Sequence, residues 1–240
     1  MNVFDEMGEY WSEIADQNQT ECQVNFLKKM LSHKGRVLDF ACGTGRHLIH
    51  LSQEGHTVIG LDISVRLLKI AKSRWHGAEL VRADMRFLPF KPQAFSAAVS
   101  MDQSFGYLPS DQDDIKSLSE IHGALGKEGV LIVDLFNPER SIKRGSVSGP
   151  LKWREYPSFF LQQNRMVTTD GGELHDSWLI RSKSEGPERF FEHISRLYTL
   201  SCFQGLLEKA GFRVTSVYGD YEQQDFNADS SRLIFMAASI

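Results

Sequence analysis

The chain has 240 residues, of which 41% are hydrophobic and 24% charged, and its net charge at pH 7 is −4. This length suits one large α/β domain or one domain with an embellishment, and the composition is typical of a globular protein with an ordinary core. The acidic balance without a basic stripe disfavours a nucleic-acid-binding protein, and no apolar run approaches the roughly 18 residues that suggest a membrane helix.

Cysteine content and the first residues of the sequence bear on the cellular compartment. The three cysteines are odd in number and follow no pattern, which fits free thiols in a reducing cytoplasm better than a disulfide framework. Residues 1–6 are acidic and lack the basic and then apolar segments of a signal peptide. We therefore expect a cytoplasmic protein.

The first part of the chain alternates between helix and strand patterns. Thr20 and Gln23 have the form of a capping box at the start of a predicted helix over residues 20–31. The alternation that follows predicts a parallel sheet with helices on both faces. Strands are predicted at residues 36–41, 56–61, 78–83, 94–101 and 129–136, and helices at residues 45–54, 64–75 and 110–127.

This alternation stops at residue 137, and no amphipathic helix is evident before residue 198. Residues 170–172, Asp-Gly-Gly, are typical of a hairpin turn. A structureless loop of about 60 residues is too long for a compact domain, so the segment predicts an antiparallel insertion. Its strand-like pieces are residues 153–161, 163–169, 174–181 and 189–198.

The pattern of strand and helix resumes near the end of the chain. A helix is predicted at residues 201–210, closed by Gly211, and two strands at residues 212–219 and 232–239. Because the connection between these strands is too short and polar for a crossover helix, the last strand is predicted to run antiparallel. The predicted fold class is α/β: a doubly wound, mostly parallel, seven-stranded Rossmann-like sheet with an antiparallel last strand and a small antiparallel β insertion.

Residues 37–47, with the sequence VLDFACGTGRH, are the most informative segment. An apolar strand leads into a turn containing Gly43 and Gly45, and the next predicted strand ends on Asp62. A glycine turn lets a ligand approach bare backbone, and an acid at the end of the second strand can hold a ribose diol. We therefore predict that a nucleoside-bearing ligand binds at this edge of the sheet.

The fine structure of the turn bears on which nucleoside binds. A dinucleotide site requires a third glycine after Gly45, so that the helix can press against the strand, but Leu48 occupies that place. Asp39 would repel a pyrophosphate and attract a cation such as an ammonium or sulfonium group. These features favour a cationic nucleoside. An NAD(P)-dependent Rossmann oxidoreductase shares the sheet and the ribose acid and is kept as an alternative.

Four segments in order resemble the motifs of the class I S-adenosylmethionine-dependent methyltransferases. Residues 39–45, DFACGTG, are similar to the motif acid-x-Gly-x-Gly-x-Gly, with Ala41 in the place of the first glycine. Residues 61–64 and 82–85 resemble the second and third motifs, and residues 100–107 resemble the loop after the fourth strand. The subgroup resembled acts on small molecules and carries an antiparallel insertion after the fifth strand.

This resemblance implies S-adenosylmethionine as the methyl donor and S-adenosylhomocysteine as the product. It implies that Asp62 binds both ribose hydroxyls and that Asp84 faces the adenine amino group. Arg46 either contacts the carboxylate of the methionyl tail or is solvated. The expected cofactor-binding residues are Trp11, Asp39, Ala41, Cys42, Gly43, Gly45, Arg46, Asp62, Ile63, Asp84, Met85 and Met101.

The resemblance also implies how the chain is organised. Residues 1–32 form a helical lid, residues 33–138 and 199–240 form the cofactor-binding α/β domain, and residues 139–198 form an insertion that covers the acceptor pocket. For each single candidate acceptor contact, a solvated or core position is the alternative. These candidates are Tyr10, Phe105, Tyr107, Arg154, His193, Arg196 and Tyr198.

The expected reaction is in-line transfer of a methyl group to N or O of a small-molecule acceptor. The loop after the fourth strand lacks the Asn/Asp-Pro-Pro-aromatic sequence of DNA amino-methylating enzymes. No metal motif is present, although Asp102 and Asp134 end strands where catechol-type relatives hold magnesium. We expect no metal, nucleic acid or membrane partner, a monomer or homodimer, and no identifiable base. A non-catalytic cofactor-binding homologue is a further alternative.

Overall fold

The fold is that of a computed structural model describing residues 3–16, 19–31, 35–143 and 151–240. Helices α1 to α8 are Val3–Met7, Glu9–Asp16, Thr20–Met30, Arg46–Gln53, Val65–Arg74, Asp111–Ala124, Pro138–Lys143 and Leu200–Lys209. Strands β1 to β11 are Arg36–Phe40, Thr57–Asp62, Glu79–Arg82, Phe95–Ser100, Leu125–Phe136, Trp153–Glu155, Phe159–Val167, Glu173–Ser182, Arg189–Arg196, Phe212–Tyr218 and Arg232–Ser239.

The central sheet has seven strands in the order β10-β11-β5-β4-β1-β2-β3. Neighbouring strands among β1 to β5 pair in parallel, whereas β11 is antiparallel to both β5 and β10. A separate four-stranded antiparallel sheet has the order β6-β7-β8-β9. The predicted α/β fold, the antiparallel last strand and the antiparallel insertion are thus confirmed.

Both faces of the central sheet are covered, as the apolar strands require. On β1, Leu38 faces one buried cluster with α6 and α8, represented by Leu118 and Phe203. Val37, its neighbour, faces a second cluster with α3 and α4. Within the described part of the chain, no helix is both long enough and apolar enough to cross a membrane.

The N-terminal helices and the insertion sheet share a third apolar cluster. Met7 and Ile14 from α1 and α2 pack with Phe159, Trp178 and Phe191 from β7, β8 and β9. These two parts of the chain therefore pack together as one unit, which we call the covering layer. The predicted boundary between residues 32 and 33 lies outside the described residues, and the division into lid, α/β domain and cover stays a prediction.

Two predictions about the insertion are corrected by the structure. The predicted strand at residues 153–161 is interrupted, because Pro157 cannot donate to a strand ladder and Tyr156 N instead bonds Phe159 O at 2.8 Å in a turn. A helix was not expected before residue 198, yet α7 begins at Pro138, a residue favoured in the first helical turn.

The predicted capping box at residues 20–23 does not form. Helix α3 starts at Thr20, so its N-cap is Gln19, which makes no side-chain capping bond. The Thr20 hydroxyl accepts a hydrogen bond from Arg46 Nη1 at 2.9 Å, and Gln23 Nε2 donates to the Tyr221 hydroxyl at 2.9 Å. Tertiary partners thus replace the local cap and connect α3 to the turn after β1.

Gly60 on β2 provides the close packing that the absent third glycine would otherwise allow. A Cβ atom on Gly60 would lie 2.5 Å from Leu48 Cδ1, 2.8 Å from Cys42 Sγ and 2.9 Å from Leu80 Cδ2. Leu48 therefore fits between α4 and the sheet because the strand, rather than the helix, carries the glycine.

We expect Gly60→Ala to destabilise the protein by about 1–3 kcal/mol, the usual effect of overpacking a dense core. Urea denaturation measures this change. Gly123→Ala is the matched control, since no atom lies within 4 Å of the added Cβ. Leu48→Ala should lower the free energy of unfolding by less in the Gly60→Ala variant than in the wild-type chain, because the smaller side chain makes room for the added methyl group. If the two losses of free energy are strictly additive, the packing assignment is refuted.

Candidate active site

A cavity of about 490 Å³ lies at the carboxyl edge of the central sheet. The ends of β1 to β4 form its floor, and α1, α2 and β9 form its walls. Parallel strands collect their carboxyl ends at one edge, where open α/β sheets bind ligands. The cavity is therefore in the position expected for a bound nucleoside.

The turn after β1 holds three residues in left-handed backbone conformations. The φ angle is +57° at Ala41, +53° at Gly43 and +72° at Gly45. A left-handed conformation costs a non-glycine residue roughly 1–2 kcal/mol, so Ala41 occupies a position that glycine suits better. At Gly45, a Cβ atom would also lie 3.1 Å from the Cβ of Ala71. The turn needs both glycines, and its backbone borders the cavity.

Asp62 is buried at the end of β2 and is held by two backbone amides. Its Oδ2 accepts from Gly43 N and its Oδ1 from Ser64 N, both at 2.8 Å. Ser64 is the N-cap of α5, as predicted, and its hydroxyl accepts from Leu67 N. The carboxylate is therefore fixed against the turn while lining the cavity, and each oxygen keeps capacity for a further donor.

Asp39 lines the same cavity but has an unpartnered oxygen. Its side chain is 1% exposed, and Oδ2 has no hydrogen-bond donor within the described residues. Burial raises the pKa of Asp39 to about 7, against the opposing effect of the Arg46 guanidinium. A buried carboxylate without a donor suits a ligand that carries an ammonium group.

Asp84, at the far side of the floor, is paired with Arg86. Arg86 Nη2 lies 2.6 Å from Asp84 Oδ2, and its Nη1 lies 2.9 Å from Asp113 Oδ1. The hydrogen bond from Arg86 lowers the pKa of Asp84, so this carboxyl is ionised at neutral pH. Asp84 and Met85 both line the cavity.

Arg46 begins α4 and is held by side chains from two other segments. It donates to Thr20 and Gln23 of α3, and its Nη2 lies 3.2 Å from Asp102 Oδ2. The side chain is 10% exposed. Arg46 is therefore not a solvated surface residue: it borders the cavity with its charge already paired.

Asp134, on β5, holds the start of the loop after β4 through a hydrogen bond. This fully buried carboxylate accepts from Arg232 Nε at 2.7 Å, Tyr221 Oη at 2.8 Å and Asp102 N at 3.0 Å. In residues 3–16, 19–31, 35–143 and 151–240, no group of three or more His, Cys, Asp or Glu could hold a metal ion. Asp102 and Asp134 thus organise the loop through protein donors.

The outer end of the cavity is aromatic. Its lining includes Phe4, Trp11, Tyr107 and His193. Burial lowers the pKa of His193, although Asp176, opposite it on β8, acts in the other direction. Its imidazole is therefore neutral at pH 7.

The structure brings most of the predicted cofactor residues together. Eleven of the twelve line the cavity, and the exception, Gly45, supports the turn from behind as the N-cap of α4. Among the seven predicted acceptor residues, Tyr107 and His193 line the cavity.

Five predicted acceptor residues are placed elsewhere. Phe105 is fully buried in the core, Tyr10 packs edge-on against Phe159, and Arg154 is exposed on β6. Arg196 and Tyr198 instead bind the start of α6, where both contact Asp111 and Asp114. They attach the end of the insertion to the central domain because Asp114 is a buried carboxylate that needs donors.

Several lining residues were not predicted from the sequence, including Phe4, His47 and Glu192. The sequence does carry a weak signal for Phe4, since it precedes Trp11 by seven residues, the spacing of one helix face. Gly8, with a φ angle of +50°, separates the two short helices and obscures this pattern.

The segment that builds the cofactor end of the site matches a known sequence family. The methyltransferase-domain family matches residues 37–129, which include the turn, Asp62, Asp84 and the loop after β4. Residues 37–129 are thus a methyltransferase domain of the class I S-adenosylmethionine-dependent type. In this family S-adenosylmethionine is the methyl donor, and in this methyltransferase the unpartnered carboxyl of Asp39 lines the cavity. The assignment supersedes the oxidoreductase alternative.

Similarity extends along almost the whole methyltransferase. A solved structure of an S-adenosylmethionine-dependent methyltransferase from Clostridium acetobutylicum ATCC 824 has a TM-score of 0.82 and covers 99% of both chains at 14% identity. The glycine/sarcosine N-methyltransferase of Parasynechococcus marenigrum (strain WH8102) is 28% identical over 228 residues, or 91% of this chain and 78% of that one. The dTDP-3-amino-3,4,6-trideoxy-alpha-D-glucopyranose N,N-dimethyltransferase of Streptomyces venezuelae is 27% identical over 184 residues, which are 76% of this chain and 77% of that one.

Binding of S-adenosylhomocysteine should strengthen as the pH rises through neutrality. Because the pKa of Asp39 is raised to about 7, its carboxyl is mostly protonated at about pH 6 and mostly ionised at about pH 8. If the ionised form holds the ligand's ammonium group, affinity rises about tenfold over this interval. Calorimetric titration at both pH values measures it. Asp39→Asn cannot ionise and should show no such rise; an equal rise in this variant would refute the assignment.

Proposed function

We propose that this methyltransferase transfers a methyl group to the nitrogen of a small-molecule amine. The observation that carries the proposal is the half-buried His193 imidazole at the aromatic end of the cavity, whose two ring nitrogens have no hydrogen-bond partner among the described residues. A neutral imidazole can accept a hydrogen bond from an amine N–H and leave the nitrogen lone pair free. Two of the most similar relatives are N-methyltransferases acting on glycine or sarcosine and on an amino sugar.

The reaction requires little acid–base chemistry from the protein. When bound, S-adenosylmethionine would supply an electrophilic methyl group: the nitrogen lone pair would form the C–N bond as the C–S bond breaks, the electron pair of the C–S bond would stay on sulfur, and the positive charge would pass to the nitrogen of the methylated ammonium product. The side chains of the site bind and orient the two reactants and exclude water. Orientation of this kind can contribute roughly 7–11 kcal/mol, so the proposal needs no strong base beyond an amine that arrives deprotonated.

The geometry of the covering layer supports a small acceptor. Residues from α1 and β9 wall the outer end of the cavity, and α1 and α2 share an apolar cluster with the insertion sheet. This arrangement supports the predicted role of the insertion as the cover of the acceptor pocket. The cavity of about 490 Å³, which also includes the predicted cofactor residues, is in the usual size range of small-molecule sites.

The test is methyl transfer from S-adenosylmethionine to a panel of primary and secondary amines, phenols and alcohols, followed by mass spectrometry. We expect methylated amines, with the position confirmed by fragmentation. Methylation of phenols or alcohols alone would overturn the N-specific proposal. Tight binding of S-adenosylhomocysteine with no transfer to any panel member would favour the non-catalytic alternative.

A further inference from the structure

The phenyl ring of Phe4 is surrounded by four other aromatic rings. Its centroid lies 4.6 Å from that of Trp11, 5.5 Å from Tyr107, 5.4 Å from His193 and 6.4 Å from Trp178. We call these four surrounding side chains the aromatic box. They come from α2, the loop after β4, β9 and β8, so the box forms only where the covering layer meets the central domain.

The aromatic box is continuous with the cofactor end of the cavity. Phe4, Trp11, Tyr107 and His193 line the same cavity as Asp39 and Asp62. The His193 ring is stacked between Tyr107 at 5.2 Å and Trp178 at 5.0 Å, with interplanar angles of 28° and 13°. Stacking on both faces fixes the imidazole plane, and its two nitrogens lie at the edge of the ring.

Three polar atoms of the box have no hydrogen-bond partner among the described residues. They are both ring nitrogens of His193 and Nε1 of Trp178. Trp178 is 1% exposed. Leaving a buried donor or acceptor unpaired is unfavourable, and such atoms in a native site call for an explanation. A polar group of a bound molecule would satisfy the nitrogens of His193, which lines the cavity.

The charges around the cavity disfavour an acceptor that carries a carboxylate. Five carboxyl side chains line it: Asp39, Asp62, Asp84, Asp102 and Glu192. Among its described lining residues the sole Lys or Arg is Arg46, which is paired with Asp102. Asp84 and Asp102 are themselves paired with Arg86 and Arg46, so the deciding feature is the missing cation: an amino acid would find no uncommitted Lys or Arg among these lining residues for its carboxylate, whereas an amine without a carboxylate needs none.

We propose that the aromatic box is the acceptor subsite, that it selects an amine with a flat aromatic body and no carboxylate, and that Phe4 fills it when no acceptor is bound. The aryl ring of the acceptor takes the place of the Phe4 ring, and its amino group bonds to His193. This inference rests on the proposed N-methyltransferase function, and it separates this chain from the glycine-methylating relatives.

The test measures binding of 2-phenylethylamine and of glycine to the protein saturated with S-adenosylhomocysteine, by calorimetry. We expect 2-phenylethylamine to bind and glycine to bind at least tenfold more weakly. Phe4→Ala should strengthen 2-phenylethylamine binding by about tenfold, because the amine then no longer competes with the Phe4 ring for the subsite. Phe87→Ala is the matched control, because Phe87 is 60% exposed and does not line the cavity.

Further variants test the polar part of the subsite. His193→Phe keeps a ring between Tyr107 and Trp178 but removes both nitrogens, so it should weaken 2-phenylethylamine binding at least tenfold. Its affinity for S-adenosylhomocysteine should be unchanged, which also confirms that the variant is folded. Equal binding of the amine to His193→Phe, weaker binding to Phe4→Ala or a preference for glycine would each overturn the inference.

Measurements of methyl transfer distinguish a failure of this inference from a failure of the proposed function. Methylation of glycine but not of 2-phenylethylamine would refute the aromatic subsite and leave N-methylation standing. Binding of 2-phenylethylamine in the box without methylation of any amine would refute the proposed function and leave the subsite standing.

Discussion

Asp62→Ala is expected to weaken the binding of S-adenosylhomocysteine by about 100-fold or more. Hydrogen bonds to a charged group contribute about 1.5–3 kcal/mol each, and in the predicted role of Asp62 a ribose diol would supply two of them to this carboxylate. A loss of about 3 kcal/mol corresponds to roughly 100-fold in affinity. The substitution also removes the acceptor for Gly43 N, which loosens the turn that the ligand contacts.

Calorimetric titration measures this loss of affinity, and two further variants serve as comparisons. Asp62→Asn keeps one oxygen for the backbone amides but removes the charge, so its affinity should fall between wild type and Asp62→Ala. Asp229→Ala changes an exposed carboxylate, paired with Lys143, and should bind as wild type does. Unchanged affinity in Asp62→Ala, with a normal far-ultraviolet spectrum, would show that this acid does not hold the ribose.

Arg232→Met is expected to lower the free energy of unfolding by about 3–5 kcal/mol, because it leaves the buried Asp134 carboxylate without its cation. Arg232 is 8% exposed, and its Nε lies 2.7 Å from Asp134 Oδ1. For a chain of this size, such a loss lowers the melting temperature by roughly 10 °C.

Thermal unfolding checks this expectation against a paired control. Arg213→Met removes an exposed arginine that lies 3.7 Å from Glu128, and exposed pairs contribute little, so its melting temperature should be nearly unchanged. Asp134→Asn combined with Arg232→Met should recover part of the loss, since the uncompensated charge is then absent. A melting temperature for Arg232→Met equal to that of the control would contradict the buried pairing.

The cofactor end of the site was predictable because its signals are local. A glycine turn, an acid at a strand end and an apolar strand lie within a few residues of one another, and parallel topology brings successive strand ends to one edge. The residues predicted there, such as Asp39 and Asp62, therefore gather in one cavity. The partners of these two carboxyl groups were not predictable, because Gly43 N donates to Asp62 and the charge of Arg46 acts on Asp39 only through the fold.

The acceptor end was less predictable because it is assembled from distant segments. Phe4, Tyr107 and His193 are brought together by contacts among α1, the loop after β4 and β9. Arg196 and Tyr198 are near in sequence to His193 but belong to the attachment on α6. The failed capping box has the same cause, since Gln23 satisfies Tyr221 and His47 rather than its own helix.

The apolar cluster shared by the first two helices and the insertion sheet has a practical consequence for handling the protein. A chain shortened to begin after residue 16 would lose Met7 and Ile14 and uncover Phe159, Trp178 and Phe191. Contiguous exposed apolar surface on a sheet with open edge strands promotes self-association. Such a chain should aggregate during expression. An affinity tag at the N-terminus needs a spacer, so that α1 can still pack against the insertion sheet.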